Sequence, residues 1–150
     1  MIDHVGIEVP ASKYTETIAW YEAVLFPLGY RKAFTLANGE LVGFRDNRNG
    51  DNVDWWVSSR GVDSGVDEVN VTTHVAFCAK DRATVDNFHR IGIAAGGKNS
   101  GDPGVRSAYH ANYYGAFVLD PAGNKIEAVC HAGAAARRGF VSASDVESSE

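Results

Sequence analysis

The feature that most constrains the fold of this chain is a divergent internal repeat. Residues 3–10 read DHVGIEVP and residues 73–80 read THVAFCAK, and each stretch places a His before residues that alternate as in a strand. A helical pattern follows each stretch, and three shorter strand-like runs follow each helix. The sequence therefore predicts an α+β fold made of two βαβββ modules.

Local end signals support this order of elements. Ser12 is the predicted N-cap of the first helix, which Pro27 and Gly29 close, and Asp81 is the predicted N-cap of the second helix. Turn sequences such as DPAGN are typical of antiparallel hairpins. The second strand of the second repeat is the least distinct, and it is expected near Ser107–Tyr109.

Composition shifts divide the chain into four parts. The first module is predicted over residues 1–58, and a polar, Gly-rich linker, SRGVDSGVDEVNV, over residues 59–71. The second module is predicted over residues 72–131. Residues 132–150 lose strand periodicity and end in Ser, Asp and Glu, so this tail is expected to be partly disordered.

Charge and hydropathy exclude several classes of partner. The 150 residues are 45% apolar with a net charge of −5, and the basic residues form no cluster apart from Arg137–Arg138, which argues against nucleic acid. No apolar run approaches the roughly 18 residues of a membrane span. The first residues, MIDHVGIEV, lack signal-peptide features, so an intracellular, cytoplasmic protein is expected. A small molecule or a second copy of the chain is the expected partner.

Cys78 and Cys130 are expected to be reduced core residues.

Three polar residues are predicted on the inner faces of strands. His4 and His74 occupy equivalent positions of the two repeats, and Glu127 lies in the last strand of the second. Burying a carboxylate without a partner is costly. Two imidazoles and one carboxylate converging on one place are a donor set for Fe, Mn, Zn or Ni with open coordination positions.

The quoted repeats, together with NYYGAFVLDPAGNKIEAV, resemble the vicinal oxygen chelate superfamily over about residues 2–131. That superfamily holds glyoxalase I, bleomycin-resistance proteins, fosfomycin-resistance enzymes and type I extradiol dioxygenases. The resemblance implies that the two modules form an eight-stranded cup around a divalent metal ion. Carried over by position, the metal ligands would be His4, His74 and Glu127. The resemblance also predicts a homodimer, in which His4 could serve the site of a second copy.

The fourth ligand position departs from the family pattern. Trp55 or Trp56 of NVDWWVSS falls there, where glyoxalase I supplies a carboxylate, and Asp54 is adjacent. One of the two tryptophans is expected to pack against a helix. The other is expected to line the cup and contact an apolar or aromatic substrate.

Residues 102–115, DPGVRSAYHANYYG, are dense in polar aromatic side chains and form either a surface loop or a lid over the cup. Arg106, Tyr109 and Tyr114 are the predicted substrate contacts from this segment. His110 and Tyr113 are its predicted acid/base or substrate-orienting groups, because His titrates near neutrality and both can donate hydrogen bonds.

Three functions are compatible with this site. The first is a metal-dependent lyase or isomerase that stabilises an enolate or related oxyanion on a small oxygenated substrate, with Glu127 or His110 carrying the proton. The second is an extradiol-type dioxygenase that uses the same His-His-Glu set. The third is a non-catalytic binder that sequesters an aromatic or antibiotic ligand.

Overall fold

The structure is a computed structural model that describes residues 3–48, 50, 52–60 and 73–132. The predicted linker beyond residue 60 and the predicted tail beyond residue 132 lie outside the described residues. Residues 59 and 60 belong to the last strand of the first module, so that strand continues past the predicted module end at residue 58.

The first module contains one long helix and four strands. Its elements are β1 (Val5–Pro10), α1 (Ala11–Leu25), β2 (Tyr30–Leu36), β3 (Leu41–Asp46) and β4 (Trp55–Arg60). The four strands form one sheet in the order β1-β4-β3-β2, in which β1 and β4 run parallel and the other pairs are antiparallel.

The second module repeats this arrangement. Its elements are β5 (His74–Cys78), α2 (Arg82–Ala94), β6 (Lys98–Val105), β7 (Tyr114–Leu119) and β8 (Lys125–Cys130). The sheet order is β5-β8-β7-β6, again with the first and last strands parallel. The predicted α+β fold of two βαβββ modules is confirmed, with the eight strands divided between two four-stranded sheets.

Two local predictions about elements are wrong. The second strand of the second repeat is β6, and Ser107–Tyr109 form a turn. Gly and Pro within β6 hide its strand pattern, and they are tolerated because β6 is an edge strand with register shifts. The first helix begins at Ala11 after Pro10, so Ser12 lies inside it. By contrast, Asp81 caps α2 as expected, because its carboxylate accepts a hydrogen bond from the Thr84 backbone N–H at 2.8 Å.

One hydrophobic core joins the two modules. Trp20 of α1 is fully buried and donates its indole N–H to the carbonyl of Gly92 in α2 at 2.8 Å. Trp55 of the first sheet packs edge-to-face on Phe77 of the second at 5.3 Å between ring centroids. Cys130 is buried as expected, whereas Cys78 is exposed. Neither helix of the described ranges is long and apolar enough to cross a membrane.

The DPAGN turn sets the start of β8. Asp120 is buried, and its carboxylate accepts hydrogen bonds from the backbone N–H groups of Ala122 and Asn124 and from the Asn124 side chain. The Tyr21 hydroxyl donates to the same carboxylate at 2.9 Å, which ties α1 to the turn. Burial raises the pKa of Asp120, and these hydrogen bonds oppose that shift. The turn thereby starts β8 in the register that pairs Glu127 with Phe117 of β7.

Candidate functional site

Glu127 is a buried carboxylate on the face of β8 that the helices do not cover. Ile126 and Ala128, its neighbours along the strand, point into the hydrophobic core, so period-two alternation turns Glu127 to the opposite face. We call this opposite face of each sheet its open face. Glu127 is nevertheless only 1% exposed. Gly115 of β7 leaves room for it, since a Cβ at that position would lie 2.8 Å from Glu127 Oε1.

Both oxygens of Glu127 have a hydrogen-bond partner. The Tyr113 hydroxyl donates to Oε1 at 2.6 Å, and His74 Nε2 lies 2.9 Å from Oε2. Burial, followed by this hydrogen bond, raises the pKa of Tyr113 to about 12, so the phenol keeps its proton at neutral pH. The His74 side chain is 49% exposed, so one side of the pair is open to solvent.

Strand pairing explains how His74 reaches Glu127. Ala76 is the direct partner of Glu127 across the parallel β5–β8 pair, and His74 is two residues earlier on the same face. Because the side chain of Ala76 is small, it leaves room for the imidazole of His74 to reach the carboxylate of Glu127.

The same register in the first module identifies the fourth position. Gly6 is the direct partner of Trp56 across the parallel β1–β4 pair, as Ala76 is of Glu127 in the second module. Trp56 is therefore the structural equivalent of Glu127. This assignment resolves the choice between Trp55, Trp56 and Asp54 that the sequence left open.

The two tryptophans face in opposite directions. Trp55 is 1% exposed and packs against Tyr21 and Phe77 in the core. Trp56 lies on the open face over Gly43, where a Cβ would come within 2.7 Å of the indole. Trp56 lines a pocket of about 440 Å³. Trp56 thus has the position expected of a substrate contact on the open face, whereas Trp55 packs in the core.

His4 lies apart from the Glu127 cluster. Its Nδ1 is 2.7 Å from Asp3 Oδ1, and its side chain is 58% exposed. It borders the pocket lined by Trp56 and a second pocket of about 460 Å³, which Trp55 and Asp54 also line. Within the ranges that the structure describes, no three His, Cys, Asp or Glu residues are grouped so that they could hold a metal ion. Of the three predicted metal ligands, His74 and Glu127 are in contact with each other, and His4 does not join them within the described residues.

The segment before β7 brings only part of its predicted residues to Glu127. Tyr113 reaches the carboxylate, whereas His110 forms a hydrogen bond with His131 at 2.8 Å. Tyr109 is 69% exposed and lies against the Tyr113 ring. Arg106 lies 5.6 Å from the ring of Phe117, the partner of Glu127 across β7 and β8.

Tyr114 lies on the wrong face to contact a substrate bound beside Glu127. Its hydroxyl donates to Asp86 of α2 at 2.7 Å, and Arg82 of the same helix lies over its ring. Tyr113 and Tyr114 are consecutive, so one points to the open face and the other to the helix. A run of aromatic residues concealed this alternation in the sequence.

Two contributors to the site were not predicted from the sequence. Gly115 leaves the space that Glu127 occupies, and His131 binds His110 beside Tyr113. Alternation through NYYGAF could have identified Gly115, because it shares the face of Tyr113. His131 follows the end of β8, and its contact with the turn depends on tertiary packing.

No protein-family model matches the chain, and no curated protein matches it. Solved structures do match. A glyoxalase/bleomycin resistance protein from Albidiferax ferrireducens T118 is 24% identical, with a TM-score of 0.61 over 83% of this chain and 95% of that chain. A putative glyoxalase from Bacillus halodurans is 22% identical, with a TM-score of 0.65 over 87% and 95%.

A lactoylglutathione lyase from Agrobacterium tumefaciens is 20% identical, with a TM-score of 0.54 over 84% of this chain and 91% of that chain. At these levels of identity the matches show a shared fold. The chemistry of this chain has to be argued from its own residues. The resemblance predicted from the repeat is therefore confirmed at the level of architecture: this chain has the fold of the glyoxalase and bleomycin resistance protein structures.

Proposed function

We propose that the protein binds a small oxygenated molecule beside Glu127 and acts on it as a lyase or isomerase, with Glu127 moving a proton. The observation that carries this proposal is a carboxylate with 1% exposure whose oxygens are held by a phenol and an imidazole. A buried carboxylate with positioned partners is a recurrent arrangement for general acid/base catalysis.

The partners of Glu127 suggest how a substrate gains access. Tyr113 is held against Oε1 and keeps its proton, so it can orient the carboxylate throughout a reaction. His74 is half-exposed and bonds to Oε2, which makes it the partner that a substrate can displace. The freed Oε2 would accept a proton from a carbon next to a carbonyl. Glu127 would then return the proton to a neighbouring atom or to a leaving group.

His74 and Glu127 also fit a divalent metal ion in donor type, because neutral imidazole and carboxylate both bind Zn, Ni, Mn and Fe. Such an ion, when bound, would polarise the oxygens of a substrate and stabilise an enolate. The third predicted donor, His4, does not join them within the described part of one chain. We expect His4 of a second copy to supply it, in a homodimer.

Metal content tests this donor set. The purified chain is loaded with Zn, Ni, Mn or Fe, dialysed and analysed, alongside His74→Ala, Glu127→Gln and His4→Ala. Wild type is expected to retain metal and the three variants to lose it. His89→Ala is the matched control, because His89 lies on α2 and bonds to Asn99. Unchanged metal content in His74→Ala and Glu127→Gln would refute the site.

Proton transfer is tested separately from metal content. A panel of small hydroxycarbonyl compounds is incubated with the protein in D₂O, and deuterium incorporation next to the carbonyl is followed by NMR. Exchange that Glu127→Gln abolishes and His89→Ala retains would support the proposal. Exchange that persists in Glu127→Gln would contradict it. Iron in the purified protein together with oxygen uptake would instead support the dioxygenase.

The open face of the first module favours a second candidate, a non-catalytic binder. Trp56 is flanked by Gly6 and Gly43, and this flat surface lines a pocket of about 440 Å³. Planar aromatic ligands would quench its fluorescence, whereas Trp20 and Trp55 are buried. Saturable quenching that Trp56→Ala removes, without any proton exchange, would favour this function.

A further inference from the structure

Three aromatic rings surround the ring of Tyr113. Tyr109 lies at 4.9 Å between centroids, His131 at 5.2 Å and His110 at 5.6 Å, with the two imidazoles close to perpendicular to the phenol. Edge-to-face contacts of this kind favour one ring orientation. In that orientation the Tyr113 hydroxyl lies 2.6 Å from Glu127 Oε1.

The two imidazoles are themselves joined. His110 Nε2 lies 2.8 Å from His131 Nδ1, and the planes of the two rings are inclined by 24°. His110 belongs to the turn before β7, whereas His131 directly follows β8. The hydrogen bond therefore connects an exposed turn to the strand that carries Glu127.

A backbone contact determines the direction of this hydrogen bond. The N–H of Asn112 donates to His110 Nδ1 at 3.1 Å, so Nδ1 must present a lone pair. A neutral His110 then carries its proton on Nε2 and donates it to His131 Nδ1. His131 in turn carries its own proton on Nε2. The two hydrogen bonds therefore run in the same direction, from the Asn112 N–H to His110 and from His110 to His131.

We propose that His131 is a positioning residue of the site, which acts through His110 and Tyr113. As the acceptor for His110, it fixes the imidazole pair that holds the Tyr113 ring in place. Tyr113 is then held at both ends, its hydroxyl by Glu127 of β8 and its ring by His131, which directly follows β8. The importance of this arrangement for catalysis rests on the proposed function of Glu127, but its geometry is independent of that function.

The proposal explains why an exposed turn can supply a precise contact. His110, Asn112 and Tyr109 are exposed, and side chains in such turns ordinarily sample several rotamers. A catalytic hydrogen bond needs its donor within about 0.5 Å of the productive position. Attachment to the end of β8 supplies that precision, because β8 is buried and paired on both sides.

Two substitutions of His131 separate its acceptor from its ring. His131→Asn keeps an acceptor, because the Asn side-chain oxygen lies near the place of Nδ1. His131→Phe keeps an aromatic ring against Tyr113 and removes the acceptor. The full chain is labelled with ¹³Cζ-tyrosine, and Tyr113→Phe assigns the Tyr113 signal among the six tyrosines. The indole N–H signal of Trp20, which reports the contact between modules, confirms that each variant is folded.

The spectra are recorded near pH 8. In His131→Phe, the Tyr113 signal is expected to move towards that of the exposed Tyr109, whereas His131→Asn retains the wild-type shift. An unchanged Tyr113 signal in folded His131→Phe would overturn the proposal. Equal displacement in both variants would overturn it as well, because the acceptor would then have no specific role.

Wild-type tautomers provide a check that needs no substitution. Long-range ¹H–¹⁵N spectra of the histidines are expected to show both His110 and His131 protonated on Nε2. A proton on Nδ1 of either residue would contradict the hydrogen-bond direction on which the proposal depends. Neither measurement requires a metal, a substrate or activity. Failure of the proposed function at Glu127 would therefore be distinguishable from failure of this inference.

Discussion

Replacing Tyr113 by Phe tests whether the buried carboxylate depends on its phenol. The substitution removes one oxygen and leaves the ring contacts with Tyr109 and the two histidines in place, so it creates little cavity. The lost hydrogen bond is 2.6 Å long and ends on a carboxylate that is 1% exposed. Hydrogen bonds to charged groups contribute about 1.5–3 kcal/mol, and a buried oxygen that loses its donor also bears its desolvation cost. We therefore expect a loss of about 2 kcal/mol in the free energy of unfolding.

Urea denaturation at neutral pH measures this loss, and for a chain of this size it corresponds to a fall in Tm of roughly 4–8 °C. Tyr109→Phe is the matched control, because Tyr109 is 69% exposed and water replaces its contacts. That control is expected to stay within about 0.5 kcal/mol of wild type. A double-mutant cycle with Glu127→Gln isolates the pair, and the coupling should exceed about 1 kcal/mol.

Two results would refute this reasoning about Tyr113. The first is a destabilisation by Tyr113→Phe no larger than that by Tyr109→Phe. The second is a coupling near zero in the cycle with Glu127→Gln, since the phenol and the carboxylate would then act independently. Either result would mean that the 2.6 Å contact contributes nothing beyond ordinary packing.

Gly115→Ala should cost about 1–3 kcal/mol in unfolding experiments, because the new Cβ would lie 2.8 Å from Glu127 Oε1. Gly6→Ala, where the Cβ makes only a 3.7 Å contact, should be near neutral, and equal costs would contradict the argument. Asp81→Ala should cost about 1 kcal/mol at pH 7, whereas Asp81→Asn keeps the cap. The hydrogen bonds from Thr84 lower the pKa of Asp81, so the cap stabilises the fold above about pH 4 and weakens as the pH falls through that lowered pKa. A difference between wild type and Asp81→Ala that does not shrink in denaturation at pH 3 would contradict this assignment.

The sequence predicted most reliably those features that depend on period and end signals. The repeated His-Val strands and the helix patterns indicated two βαβββ modules, and Asp81 was correctly identified as a cap. The predictions failed where local signals were mixed. Gly101 and Gly104 concealed β6, and consecutive tyrosines concealed the alternation that turns Tyr114 towards α2.

The sequence predicted candidate residues for the site, but it did not predict which of them contact each other. His74 was identified from the repeat and Glu127 from its place in the last strand, and the structure places His74 Nε2 2.9 Å from Glu127 Oε2. Whether His4 joins them depends on how strands of different modules or chains approach each other. That approach is determined by long-range packing, and no periodicity in one sequence encodes it. The contact between His110 and His131 depends on tertiary packing in the same way.

The equivalence of Trp56 and Glu127 shows how the two modules have diverged in chemistry. Each residue is the direct partner of a very small residue on the leading strand, Gly6 for the indole and Ala76 for the carboxylate. Different side chains occupy the space beside Gly6 in the first module and beside Ala76 in the second. In the second module an imidazole bonds to the carboxylate, and in the first a flat ring lies against glycines. The repeat thus preserved the backbone geometry of both positions, while a carboxylate is present at only one of them.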